Sequence, residues 1–456
     1  MDMSSTTMYE RSLRYGWYVA GLLTLAQIVS YLDRFLPSLL VQPIKHDLSL
    51  SDFQIGLMLG PAFTLFYIIL GIPLGWLADR VSRRALLAAG IAIWCTMTAS
   101  AAAAKGFVSL LVTRLGVGLG EATVAPTSIS LLSDYFPPER RSRALSLFMS
   151  GAFLGAGSSF LFFGPLVHHI QSLPAVSLPL VGSLQSWRLC FLIVGAPGLL
   201  LSVLLLTVRE PRRPERVGRA GNPTFRDGVI FILQHWRAFG TLFVASACNV
   251  TMGALALWNV GLFKRTWNWN VAEVGVAVGL ILFTAGPIGT LLGVFLTNRD
   301  MAAGRRDGTL RALFLGVVIG VPAYTLFPLM PSARLGLAWL FFAHVGQAMA
   351  TAAGPATLVT LAPSQIRAQT TAIYYLVISV IAQLIGPPMV GLIADSMGSP
   401  DSLRYAVSIE ASAIGIPAIL LVWLGFRHYR RSVAELEEQS GEPSWRPPAA
   451  LQAASE

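Results

Sequence analysis

The chain has 456 residues, 54% of them hydrophobic and only 12% charged, whereas an average soluble domain is about one quarter charged. That composition excludes an ordinary water-soluble enzyme. The net charge of +10 brings nucleic acid to mind as a partner, but the basic residues alternate from loop to loop and form no stripe on one face, which argues against it.

A helix needs about 20 apolar residues to cross a hydrocarbon core of roughly 30 Å, and such runs recur over nearly the whole length. They predict twelve spans, at 15–41, 52–78, 85–104, 107–134, 141–170, 187–208, 229–264, 271–298, 309–329, 334–361, 366–396 and 403–426. The expected architecture is an all-α membrane protein: helices within 1–208, a cytoplasmic linker at 209–228, helices within 229–427, and a disordered tail at 428–456. Met1 to Arg14 is polar and leads straight into a full-length span, so no cleaved signal is expected.

Span 1 carries Tyr31-Leu32-Asp33-Arg34. After span 2 comes Gly75-Trp76-Leu77-Ala78-Asp79-Arg80, followed by Arg83 and Arg84, an acid and three arginines where two helices leave the membrane. Gly75 would permit close helix approach, and Asp79 would suit the positive end of a helix. Span 4 holds Arg114-Leu115-Gly116-Val117-Gly118-Leu119-Gly120-Glu121 and ends near Asp134, with Arg140 and Arg141 beyond. Gly75, Asp79, Arg80, Arg83, Arg84, Asp134, Arg140 and Arg141 together predict an ion-pair latch that breaks when the cytoplasmic side opens.

Asp33, Arg34, Arg114 and Glu121 lie inside spans. On insertion scales each costs roughly 2.5–3.5 kcal/mol at the bilayer centre, about 10 kcal/mol for four left unpaired. Two acids and two bases can cancel. Arg114 and Glu121 stand two turns and about 10 Å apart on one helix face, so if that face meets span 1 a neutral cluster forms. Two readings remain open: a structural network that fixes packing, or a working site in which Asp33 and Glu121 exchange protons while Arg34 and Arg114 hold those carboxylates or an anionic group of the solute.

Beyond the linker the spans offer few charges but many aromatic and uncharged polar groups, among them Trp258, Asn259, His344, Gln347 and Tyr374. A cavity polar on one wall and greasy on the other suits an amphiphile, which makes those five, with Arg34 and Arg114, the candidate substrate-binding residues. Phe136-Pro137-Pro138-Glu139-Arg140-Arg141 has a weak echo in Ala362-Pro363-Ser364-Gln365-Ile366-Arg367, and Gly75 to Arg84 in Gly293 to Arg306. A duplicated half with a site between repeats is a recurrent transporter plan. With the N-terminus inside, 23 basic residues fall in alternate segments on the cytoplasmic side and seven on the other, so the positive-inside rule puts both termini of this multi-pass plasma (inner) membrane protein in the cytoplasm. Cys95, Cys190 and Cys248 lie in separate spans, with neither disulfide nor metal spacing.

Gly75-x-Leu77-Ala78-Asp79-Arg80-x-x-Arg83-Arg84 resembles the signature loop of the major facilitator superfamily, departing from it at Ser82, where glycine is usual. The resemblance implies two pseudo-symmetric six-helix bundles rocking about a central cavity, a loop that contributes to a cytoplasmic gate, and a monomer. Within that superfamily Tyr31-Leu32-Asp33-Arg34, Gly118-Leu119-Gly120-Glu121-Ala122, Ser133-Asp134-Tyr135-Phe136-Pro137, Trp187-Arg188 with Pro197-Gly198, and Arg209-Glu210-Pro211 are similar to Spinster-like lysolipid and sphingolipid transporters. That resemblance links Asp33, Arg34 and Glu121 to proton coupling and head-group binding. The Tyr-Leu-Asp-Arg and Gly-x-Gly-Glu pieces also resemble organic anion:cation symporters, and Gly151, Gly155, Gly157 and Gly164-Pro165 the glycine-rich motif of drug exporters. The expectation is a proton-coupled transporter of an amphiphilic or anionic small molecule, embedded in the lipid bilayer, with no cofactor, metal or nucleic acid. An intramembrane enzyme is disfavoured, because no nucleophile with an adjacent base and no metal-ligand motif is visible.

Overall fold

A computed structural model of the chain describes residues 3–78, 80–173, 176–178, 182–211, 225–363, 365–399 and 401–440. Twelve helical spans are long and apolar enough to cross a membrane: Leu13–Leu39, Asp52–Gly71, Arg83–Ala103, Phe107–Tyr135, Arg140–Ser172, Ser186–Leu206, Trp236–Trp267, Val271–Ala302, Gly308–Leu329, Ala333–Leu361, Gln369–Met397 and Ser402–Glu438. They are numbered as spans 1 to 12. The fold is the expected all-α membrane architecture. A hairpin of two three-residue strands, Val176–Leu178 and Gly182–Leu184, joins spans 5 and 6.

Several spans are interrupted by short breaks in the helix. Span 2 opens on a capping box, in which the Ser51 hydroxyl accepts from the Gln54 amide and the Gln54 side chain accepts from Ser51 N, so two orphan helix-end donors are satisfied reciprocally. Span 4 divides into Phe107–Glu121 and Val124–Tyr135, which leaves Glu121 at the end of a helical segment. Span 7 divides into Trp236–Leu255 and Asn259–Trp267.

The chain forms two compact units, residues 1–217 with 257–280 and residues 218–256 with 281–456. The division expected at the linker therefore shifts: the second half of span 7 and the start of span 8 belong with the first unit. Charge and close packing explain this. Arg265 forks onto both carboxylate oxygens of Asp52 at 2.6 and 2.7 Å, with Lys45 on the same acid at 2.6 Å. A Cβ on Gly275 would lie only 2.5 Å from the Phe160 carbonyl, a backbone approach that glycine alone allows. The first unit is filled by Val19, Leu23, Leu87, Ile91, Trp94, Val117, Phe148 and Leu201. The second buries Leu242, Leu310, Leu313, Tyr324, Leu340, Val407 and Val422.

Most of the linker, 212–224, lies outside the described residues, as does the tail from 441. Residues 428–440, however, are not a disordered tail. The last helix, Ser402–Ser440, continues through them because Tyr429 and Val433 are fully buried and the Tyr429 hydroxyl is hydrogen-bonded to Thr309 at 3.2 Å and to Thr360.

Candidate functional site

Spans 1 and 4 do bring their four charges together. Ser30 and Arg34 are one helical turn apart on the same face of span 1. Both donate to Glu121 Oε2, the hydroxyl at 2.7 Å and Arg34 Nη2 at 2.9 Å. Asp33, rotated to the adjoining face, accepts from the Thr98 hydroxyl at 2.7 Å and lies 4.0 Å from Arg114 Nη1, within Coulombic reach but beyond a hydrogen bond. Asp33, Arg114 and Glu121 are buried, whereas a quarter of the Arg34 side chain stays accessible. Its guanidinium carbon sits 4.5 Å from the Phe63 ring centre, 4.7 Å from that of Tyr31 and 5.3 Å from that of Tyr67, an aromatic cradle that favours a cation.

The pairing is incomplete. Asp33 Oδ1, Glu121 Oε1, Arg114 Nε and Nη1, and Arg34 Nε are buried without a hydrogen-bond partner among the described residues. Unmade hydrogen bonds of buried charged groups are costly, so a network serving packing alone would be expected to close them. The same atoms are the ones a proton or an anionic group could engage.

Glycine places Glu121 there. A Cβ on Gly118 would stand 2.3 Å from the Phe63 carbonyl oxygen, and one on Gly120 would stand 2.4 Å from that of Gly90. Span 4 therefore runs backbone to backbone against spans 2 and 3, and any larger residue would push Glu121 away from span 1.

At the arginine-rich end of the first unit, Arg83 rather than the Arg140-Arg141 pair is the anchor. Buried at the start of span 3, it donates to Asp134 at 2.5 Å, to Glu210 at 2.8 Å and to the Ser130 hydroxyl at 3.0 Å. Glu210 also accepts from the Ser82 hydroxyl and the Arg84 amide. Partial burial pushes the Glu210 carboxyl up, but its hydrogen bonds and the Arg83 charge outweigh that and hold it below the usual glutamate range. Arg80 and Arg84 are exposed, Asp79 lies outside the described residues, and no ion pair of Arg140 or Arg141 is seen among them. Gly75 does not serve close approach, since an added Cβ would meet only Pro126 at 3.8 Å.

The remaining candidates are more scattered. Trp258 and Asn259 are buried in the first unit, with Asn259 Nδ2 lacking a hydrogen-bond partner among the described residues. In the second unit His344 Nδ1 lies 3.1 Å from Gln347 Oε1, which also accepts from the Tyr324 hydroxyl at 3.3 Å. Tyr374 donates instead to Ser246 at 2.9 Å. Sequence reasoning missed Ser30, Thr98, Glu210 as a partner of Arg83, the Asp52-Arg265 pair, and Glu410, a buried carboxylate of span 12 whose two oxygens accept no side-chain hydrogen bond among the described residues. The cost of an intramembrane acid, already applied to Glu121, was the signal available for Glu410.

The family model for the Major Facilitator Superfamily matches residues 23–292 and 237–455. The chain is 29% identical to an MFS-type efflux pump of Mycolicibacterium smegmatis, over 92% of its own length and 95% of that protein's. It is 25% identical to protein spinster of Drosophila melanogaster over 62% of its length and 46% of the relative's, and 28% identical to the hexuronate transporter of Bacillus subtilis over 83% and 87%. Among solved structures, a bacterial homologue of the human lysosomal transporter Spinster, inward-facing and unoccupied, superposes with a TM-score of 0.76 at 24% identity, covering 95% of this chain and 99% of that one.

Proposed function

This chain belongs to the major facilitator superfamily, as a Spinster-like transporter and not an enzyme, and from that premise we propose proton-coupled alternating access with Glu121 and Asp33 as the proton-exchanging groups. The observation that carries the proposal is the sharing of Glu121 Oε2 between Ser30 and Arg34, beside a second oxygen with no partner. Protonation of Glu121 removes the charge that holds Arg34. The guanidinium, still cradled by Tyr31, Phe63 and Tyr67, is then free for an anionic group of the solute. Asp33, 4.0 Å from Arg114, forms a second and looser acid-base pair, and the coupling ion is a proton.

The solute in this reading is amphiphilic, a lysophospholipid or sphingolipid with a phosphate head, which suits an arginine set among aromatic rings. Trp258, Asn259, His344, Gln347 and Tyr374 would contact it, and the Arg83-Asp134-Glu210 network would steady the cytoplasmic gate. The protein would work as a monomer in the plasma membrane with both termini inside. A smaller organic anion is the second reading, supported by the hexuronate-transporting relative; outward drug transport finds support in the efflux relative.

The test is Glu121→Gln in proteoliposomes under an imposed pH gradient. Transport that no longer follows the gradient is expected, and a full response would remove Glu121 from the coupling role. Native mass spectrometry separates the solutes: co-purifying lysophospholipid or sphingoid base is expected, and small hydrophilic anions alone would move the assignment to the symporter reading.

A further inference from the structure

The last helix changes character within a single turn. Leu420, Leu421, Trp423 and Leu424 are each 54–64% exposed, an outward apolar band of the kind that acyl chains cover in a bilayer. Arg427, His428, Arg430 and Arg431 follow at once. The switch marks the hydrocarbon boundary on the arginine-rich side, with Trp423 at the level where aromatic rings accumulate.

Two hollows of the second unit open at this boundary. One, of about 710 Å³, is bordered by Asp307, the N-cap of span 9, by Arg311 of that span, and by Trp423, Arg427, His428 and Arg430. The other, of about 300 Å³, runs beside Trp236, Arg237, Thr241 and Val244 of span 7 and shares Leu424 and His428 with the first. Among the described residues the only carboxylate bordering the larger hollow is Asp307, already held by Arg311 at 2.9 Å with Arg430 at 3.4 Å. Arg427 has no ion pair among the described residues. Three guanidinium groups against one acid leave an excess of two positive charges, with His428 beside them. Guanidinium matches phosphate oxygens bidentately, and basic clusters just beyond a membrane span are the recognised form of anionic-lipid binding.

We propose that this pair of hollows binds an anionic phospholipid of the surrounding leaflet, its phosphate on Arg427 with Arg430 and Arg311, and an acyl chain along Leu424 toward Val244 and Leu421. This site uses none of the residues assigned to transport.

The experiment takes the full chain in detergent, stripped of lipid, and adds phosphatidylglycerol, phosphatidylcholine or inorganic phosphate while thermal unfolding and retained lipid by native mass spectrometry are followed. Phosphatidylglycerol is expected to raise Tm and remain bound, and phosphatidylcholine to do neither. Arg427→Gln should weaken phosphatidylglycerol retention about fivefold, the effect of one arginine near a charged leaflet. Arg431→Gln, which removes an exposed arginine paired with Glu435 and outside both hollows, should leave it unchanged. Equal retention of the two lipids, or no change in Arg427→Gln, would overturn the proposal. The same Tm rise with inorganic phosphate alone would overturn the lipid as its occupant. Should Arg427→Gln fail to fold, phosphatidylglycerol retention by the unaltered chain that ignores salt would refute it equally, since charge-driven binding is screened.

Discussion

Arg34 holds Glu121 at 2.9 Å while its guanidinium lies against three aromatic rings, so one side chain answers both to a carboxylate and to a surface suited to cations. Replacing it by lysine separates these roles. The ammonium keeps the charge but loses the planar stacking on the rings and the fork that meets an anion with two parallel hydrogen bonds, a loss on the order of 1–2 kcal/mol at a desolvated site. Arg34→Lys is expected to raise the solute concentration for half-maximal transport roughly tenfold while leaving the chain folded. Unchanged affinity in the vesicle assay would detach the aromatic cradle from solute binding.

The second expectation concerns the backbone that aims Glu121. Gly118→Ala places a methyl group 2.3 Å from the Phe63 carbonyl oxygen, and overpacking of this kind costs about 1–3 kcal/mol. Gly71→Ala has open space around the new Cβ and serves as the control. Thermal unfolding in detergent should show a lower Tm for Gly118→Ala alone; equal Tm values would mean spans 2 and 4 are less tightly apposed than described.

Glu210 gives a pH dependence with a definite sign. Its folded carboxyl titrates below the ordinary glutamate value, so its stabilising effect is complete above the unfolded value, near 4.3, and disappears as pH falls through the folded one. Unaltered protein should therefore exceed Glu210→Gln in Tm at neutral pH, and the gap should close below about pH 4. A gap that instead widened on acidification would mean that Glu210 is not the anionic partner of Arg83.

Much of this was legible in the sequence because the membrane makes two quantities extreme. Apolar length and charge scarcity mark spans so strongly that all twelve are found, most of them to within a few residues, although the end of span 2, the start of span 7 and the end of span 12 lie further off; the cost of intramembrane charge singles out Asp33, Arg34, Arg114 and Glu121 together. The partners Ser30 and Thr98 were invisible for the complementary reason: neutral hydroxyls are cheap in a span and occur throughout it, so neither composition nor spacing distinguishes the ones that donate to a carboxylate. Tertiary geometry decided the rest. Arg83 was one of three arginines in its loop, and only burial shows that it, not Arg80 or Arg84, meets Asp134. Likewise the attachment of residues 257–280 to the first unit follows from Arg265 reaching Asp52, a pairing across 213 positions that no local pattern encodes.

The last helix continues past Arg427 as far as Ser440. By composition, residues 428–440 read as a solvated tail, rich in Arg and Glu, yet Tyr429 is fully buried between Thr309 and Thr360, and Arg306 reaches Glu437 at 2.8 Å. Two substitutions separate packing from hydrogen bonding. Tyr429→Phe keeps the ring, and Thr360 retains its bond to the Thr357 carbonyl, so the loss should stay near 1 kcal/mol, the net worth of a typical hydrogen bond. Tyr429→Ala empties the site and should cost about 3–5 kcal/mol, as truncation of a buried aromatic does. Arg306→Ala removes an ion pair whose arginine is half exposed, and such surface pairs contribute little. The expected order of Tm loss is thus Tyr429→Ala, then Tyr429→Phe, then Arg306→Ala; a Tyr429→Ala variant as stable as the parent would mean that the extension is not docked in solution.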